Sequence, residues 1–271
     1  MPGHLPHTVP RGFRQFLDGI PLWLAFIGTA ALLFASWELG LRLGRARARS
    51  GEIRESLEGE VVGAALALLA FILGFTFSMA ESRFDARRGA MLDEAIALRE
   101  AYLRAGLVAE PQRSEVRDLL KRYVDSRIEV GVTGDLKLAV LRAEAFHDSL
   151  WANAVAMAAT DRSDVTVMAV EGINNVVSAH VTRLQLVRGA RVPDAVWLAL
   201  YILSAFAMLL VGHHQGSKND RQWFGVLLIT LAFSMMITLI DDIDRPLQGY
   251  LKVSQQPFTD LRAWMDVSRA P

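Results

Sequence analysis

Residues 61–80 read VVGAALALLAFILGFTFSMA, twenty positions without a charged side chain. At about 1.5 Å per residue, a helix of that length covers roughly the 30 Å of bilayer hydrocarbon. Three more stretches have the same character. Residues 21–41 (PLWLAFIGTAALLFASWELGL) carry only Glu38, near their end, while 195–212 (AVWLALYILSAFAMLLVG) and 223–240 (WFGVLLITLAFSMMITLI) carry no charge. The chain of 271 residues is 52% hydrophobic, close to a globular average, so the clustering of apolar residues decides the class and not their number. The expectation is an all-α membrane protein: four transmembrane helices in two hairpins, with a helical soluble stalk inserted between spans two and three.

Outward from 61–80 the helical pattern continues past the apolar edge, through ESRFDARRGAMLDEAIALREAYLRAGLV, with no proline before Pro111. Phe84, Met91, Ala95, Leu98 and Tyr102 recur at helical spacing, and Asp85/Arg88 and Glu100/Arg104 stand three and four apart. One helix of more than forty residues would leave the bilayer by roughly 40 Å. Further helical patterns cover about 112–131, 135–160 and 163–188, punctuated by Pro111, Gly131/Gly134 and Asp161–Asp164, with Ser163 as an N-cap candidate. The block 81–192 holds 16 basic and 16 acidic residues, the mixed surface of a water-exposed subdomain. The domain reading is an N-terminal tail 1–20, a first hairpin 21–80, a cytoplasmic helical domain 81–193, a second hairpin 194–240, and a C-terminal tail 241–271 with a short helix over 257–269.

Charge and composition exclude several functions. The 29 basic residues balance 29 acidic ones, so nucleic acid is not an expected partner. The absence of cysteine removes disulfides, thiolate metal sites and cysteine nucleophiles. No cofactor motif, metal-ligand pattern or nucleophile elbow is present, and neither an enzyme nor a cofactor is expected. His213-His214 read as a solvated loop pair, and His147 and His180 as packed or capping residues on amphipathic helices. Gly172–Asn175 (GINN) reads as a patch of buried interhelix hydrogen bonds. Arginine and lysine counts give twelve on the side of the tails and block flanks against seven in the two opposite loops, which favours cytoplasmic termini.

Two segments are more specific. GFTFSMAESRFD (74–85) stands at the cytoplasmic exit of span two, and LIDDIDRPLQGYLKVSQQPFTDL (239–261) follows span four; AYLRAGL (101–107) and LLKRYVDSRI (119–128) lie between them. Together they resemble the bestrophin-like family of four-span bacterial proteins and, more remotely, the bestrophin anion channels. The matching residues are Gly74 and Phe75, then Arg83 and Phe84, and in the tail Asp244, Arg245, Pro246 and Gly249, with Leu247-Gln248 loosening the last motif. The helical block is shorter than a bestrophin's cytosolic region, and the long C-terminal wrap with its calcium-binding acidic cluster is missing. Asp241, Asp242 and Asp244 therefore read as a solvated turn with an Arg245 salt bridge, since Ca²⁺ needs six or more oxygens. The resemblance implies a homo-oligomer of five copies in a lipid bilayer, small inorganic anions as permeant ions, and a pore neck built from Ala67, Phe71 and Phe75. An i, i+4, i+8 stripe does face one direction. Facing lipid or a neighbouring helix explains the same stripe, and a non-conducting, membrane-anchored scaffold or sensor that binds a protein partner is the alternative function.

Overall fold

The computed structural model describes residues 19–49, 58–133, 136–189, 191–218, 222–246 and 249–268. Among them every regular element is a helix: α1 (Leu22–Arg49), α2 (Glu58–Ala105), α3 (Gln112–Thr133), α4 (Leu136–Thr160), α5 (Asp164–Gly189), α6 (Asp194–Ser217), α7 (Trp223–Asp244) and α8 (Gln256–Val267). Among the described residues, four stretches contain an apolar window long enough to cross a membrane: Leu22–Arg49, Gly59–Ala105, the α5–α6 stretch Asp164–Ser217, and Trp223–Asp244. α2 passes through Gly89 without a break and stops just before Gly106, 48 residues in all. Most of the N-terminal tail, the middle of the 42–60 connector and part of the link between α6 and α7 lie outside the described residues, as do Leu247 and Gln248.

The chain divides into two compact units, 1–82 with 191–251 and 83–190 with 252–271. The C-terminal segment is thus shared: its first eleven residues go with the apolar helices and the remainder with the helical block.

In the first unit, Leu33, Trp37, Leu41, Met208, Val211 and Val226 form the core. α1 and α6 lie side by side and run parallel. Thr29 pairs with Tyr201 through their hydroxyls at 3.3 Å, and the Trp37 indole N–H donates to the Gln215 amide oxygen at 3.1 Å. Lipid tails are as apolar as leucine, so helix association in a bilayer relies on close backbone approach, which small residues permit. Four glycines supply it here. A Cβ at Gly40 or Gly44 would strike the carbonyls of Leu209 or His213, and one at Gly212 or Gly216 those of Trp37 or Leu41. His213 and His214 are in the last turns of α6, not in a loop. Hydropathy locates where a span leaves the hydrocarbon; the helix itself continues as far as its backbone bonds do.

In the second unit, the C-terminal half of α2 packs with α3, α4, α5 and α8 around Leu98, Tyr102, Leu120, Tyr123, Leu150, Ile173, Val176, Phe258 and Met265. Burying each such side chain contributes about 1.5–3 kcal/mol. The recurring positions Met91, Ala95, Leu98 and Tyr102 are the buried face of α2. The asparagines of GINN do not form the expected buried bonds, because Asn174 and Asn175 are exposed. Gly172 matters instead: a Cβ there would sit 3.2 Å from the Ala101 Cα, so the glycine lets α5 approach α2. α8 is held by the Arg262–Asp125 ion pair at 2.6 Å and by Trp264 edge-on to Tyr102.

Candidate functional site

The three expected neck residues share one face of α2, and that face is open in the single chain. Ala67 is exposed, Phe71 is 68% exposed and Phe75 56%. The opposite face carries Leu69, Leu73, Thr76 and Ala80, all buried. Gly74 has open space where a Cβ would stand. α2 therefore presents large aromatic side chains on a face that its own chain leaves uncovered. The later pair of the motif is set differently. Arg83 and Phe84 are half-buried, the Arg83 Nε is enclosed without a hydrogen-bond partner, and the Arg87 guanidinium stands 5.9 Å from the Phe84 ring centre.

The tail motif closes the end of α7. Arg245 bridges Asp241 at 2.6 Å and donates to the Ile20 carbonyl at 2.8 Å. Asp242 accepts the backbone N–H groups of Tyr250 (2.6 Å) and Leu251 (3.2 Å), and the Asp244 carboxylate accepts that of Val192 at 2.9 Å. Pro246 turns the chain away, and Gly249 comes so close to Asp242 that a Cβ would sit 2.8 Å from its carbonyl oxygen. The expected Arg245 bridge is present, but the turn is not solvated. Asp241, Asp242, Asp244 and Arg245 are all buried. A buried carboxylate must be satisfied, and these accept from backbone N–H groups and a guanidinium. Among the described residues no group of three or more His, Cys, Asp or Glu is placed to hold a metal.

A second polar cluster lies inside the helical unit, and sequence reasoning missed most of it. Glu94 of α2 is fully buried. Its carboxylate accepts from the Tyr123 hydroxyl (2.7 Å) and from Arg183 (2.7 Å), and the Arg127 Nε lies 3.2 Å away. The His180 Nδ1 sits 3.1 Å from the Arg127 Nη2 and 3.4 Å from the Glu94 Oε1. The His147 ring lies 4.8 Å from that of His180 and 5.6 Å from Tyr123. Burial alone would raise the Glu94 pKa. The hydrogen bond with His180 and the charges of Arg183 and Arg127 outweigh it and hold the carboxyl well below the usual range. Burial, reinforced by the neighbouring Glu94 charge, pushes the Tyr123 phenol far upward. Burial, with His180 beside it, lowers His147 to about 4. The signal that could have found this cluster was Glu94 itself, a carboxylate on the face marked by Met91, Ala95 and Leu98.

A family model described as a bestrophin-like domain matches residues 22–258. Solved structures agree in fold. A variant of a bacterial bestrophin homologue from Klebsiella pneumoniae is 14% identical with a TM-score of 0.61, covering 92% of this chain and 99% of its own. A second structure of a bacterial bestrophin homologue from that organism is 15% identical with a TM-score of 0.61, covering 93% and 100%. No curated protein matches the chain in sequence.

Proposed function

The chain belongs to the bestrophin-like family, and from that premise we propose that it is a homo-oligomeric ion channel whose neck is formed by Ala67, Phe71 and Phe75 of α2. The observation that carries this reading is the exposure of Phe71 and Phe75 opposite a buried face on the same helix. Rings of such side chains around a symmetry axis would gate by dewetting, since an ion must shed water to pass them. The family likeness supports five copies and brings small inorganic anions as the first permeant class to test.

The parallel run of α1 and α6 supports the four-span arrangement. Two spans pointing the same way need an odd number of crossings between them, and α2 supplies one. The termini and the block between spans two and three then share a side, and the arginine balance favours the cytoplasm of a bacterial inner membrane. Reporter fusions check this: fluorescence from a C-terminal green fluorescent protein and phosphatase activity from a fusion between α6 and α7 are expected, and the reverse pattern refutes it.

The decisive experiment is ion flux from liposomes holding the wild type and the Phe71→Ala/Phe75→Ala double variant. A neck gives wild-type flux that rises when the constriction widens, with little loss of stability. Packed phenylalanines instead give a loss of about 3–5 kcal/mol per site and no gain in flux. An intact oligomer, by light scattering, that carries no flux in either form moves the assignment to the scaffold.

A further inference from the structure

We propose that the His147–His180 pair makes the helical unit acid-labile, so that proton uptake at His147 releases α4 from α2, α3 and α5. The geometry gives an added proton no carboxylate of its own. At neutral pH the cluster holds one carboxylate, Glu94, against two guanidinium groups, Arg127 and Arg183. The Glu94 oxygens are already engaged by Tyr123, Arg127, His180 and Arg183.

The groups facing His147 are Glu94 from α2, Tyr123 and Arg127 from α3, and His180 from α5, with Arg183 of α5 on the Glu94 carboxylate. Its own helix offers Asp148, which is exposed, and α8 contributes Phe258, 5.3 Å from Arg183, without a charge. His147 is half-buried, and its Nε2 is enclosed with no hydrogen-bond partner. A protonated imidazole at this point brings a second excess positive charge into a site already carrying one.

α4 is the element able to yield. Its share of the core is Ala143, Leu150, Ala154 and Met157, with Phe146 half-buried beside them, less than α2 or α3 supply; α5 supplies only Ala169, Ile173 and Val176 but is tied to Glu94 through Arg183. The other charged members hold one another through Glu94 and stay together when α4 leaves. Moving α4 outward gives His147 the water that its proton needs.

The linkage has a definite sign. A histidine whose pKa in the folded protein is depressed contributes nothing adverse above its unfolded value near 6.5, and costs stability as pH falls from there towards about 4. If the released imidazole titrates at its ordinary value, opening of α4 becomes roughly 30-fold easier between pH 7.5 and pH 5.

The test is hydrogen–deuterium exchange of the full chain in detergent micelles at those two pH values, with intrinsic rates divided out, for wild type and His147→Gln. Peptides from α4 are expected to lose roughly 30-fold protection in the wild type, and the variant to show less than half of that change on a logarithmic scale. An unchanged α4 in the wild type, or half or more of the change surviving in the variant, overturns the proposal. Should the variant not fold, ring-carbon NMR of wild-type histidines, assigned by replacing the other five, decides it: a His147 midpoint below 6 supports the proposal, and one at 6 or above overturns it.

Discussion

Replacing Gly212 by alanine puts the seam between α1 and α6 to a direct test. The new Cβ would strike the Trp37 carbonyl and stand 2.8 Å from the Leu41 nitrogen, where comfortable heavy-atom contact needs about 3.5 Å. Both obstacles are helix backbone, which has no rotamer to change, so the helices must part by about 1 Å. Overpacking of that kind costs about 1–3 kcal/mol. Alanine also returns up to about 1 kcal/mol of helix propensity, which would blur a single measurement. Gly28→Ala removes the ambiguity, because nothing lies within 4 Å of a Cβ at that position and the propensity gain there stands alone. The difference between the two variants isolates the steric cost and corresponds to roughly 2–10 °C in Tm, with Gly212→Ala the less stable. Gly40→Ala wedges the same seam from the other side. Once one wedge has opened it the second meets less resistance, so the double variant should lose less than the sum of the singles. Thermal unfolding in detergent, followed by tryptophan fluorescence, reads the four variants against the wild type. Gly212→Ala as stable as Gly28→Ala, or losses that simply add, would refute the close-packed seam.

Glu94→Gln should destabilise the protein by about 3–5 kcal/mol in denaturant titration, because Arg127 and Arg183 would remain buried without their counter-charge. Tyr123→Phe should cost only about 1–3 kcal/mol, the loss of one hydrogen bond to that carboxylate; equal losses would contradict the assigned roles. Asp242→Ala should free residues 249–251 and speed tryptic cleavage at Lys252, with the wild-type rate in the variant counting against the closure. Because backbone N–H groups and Arg245 occupy the tail carboxylates, neither calcium nor a chelator should move Tm by more than about 1 °C, and a calcium-dependent rise would overturn that account.

What the sequence made legible follows from which forces leave a periodic trace. The apolar runs, the length of α2 and its Met91–Tyr102 face could be read directly, since burial imposes the 3.6-residue period on residue type. The α1–α6 seam was also written there, as Gly40/Gly44 and Gly212/Gly216, but spacing does not say which two glycine faces meet. Polar interiors were harder. Glu94 sits at a core register among apolar residues, yet its partners Tyr123, Arg127, His180 and Arg183 come from two other helices, and only the fold brings them together. The same limit applies to Asp242 and Asp244: acidic residues after an apolar run look solvated until the backbone N–H groups that hold them are known. Phe71 and Phe75 were legible as a stripe, and the structure adds that their own chain leaves them bare.

The parallel seam also dictates an order of events during synthesis. Thr29 and Tyr201 are 172 residues apart, and at roughly 5–20 residues per second the ribosome needs about 10–35 s to deliver the second helix after the first. Throughout that interval α1 has emerged with Gly40 and Gly44 bare and Trp37 lacking its Gln215 acceptor. A nascent chain in this state depends on lipid, on the insertion machinery or on α2 to occupy the groove. Any occupant must then leave when α6 arrives, so the tightest contact in the apolar unit is among the last to form.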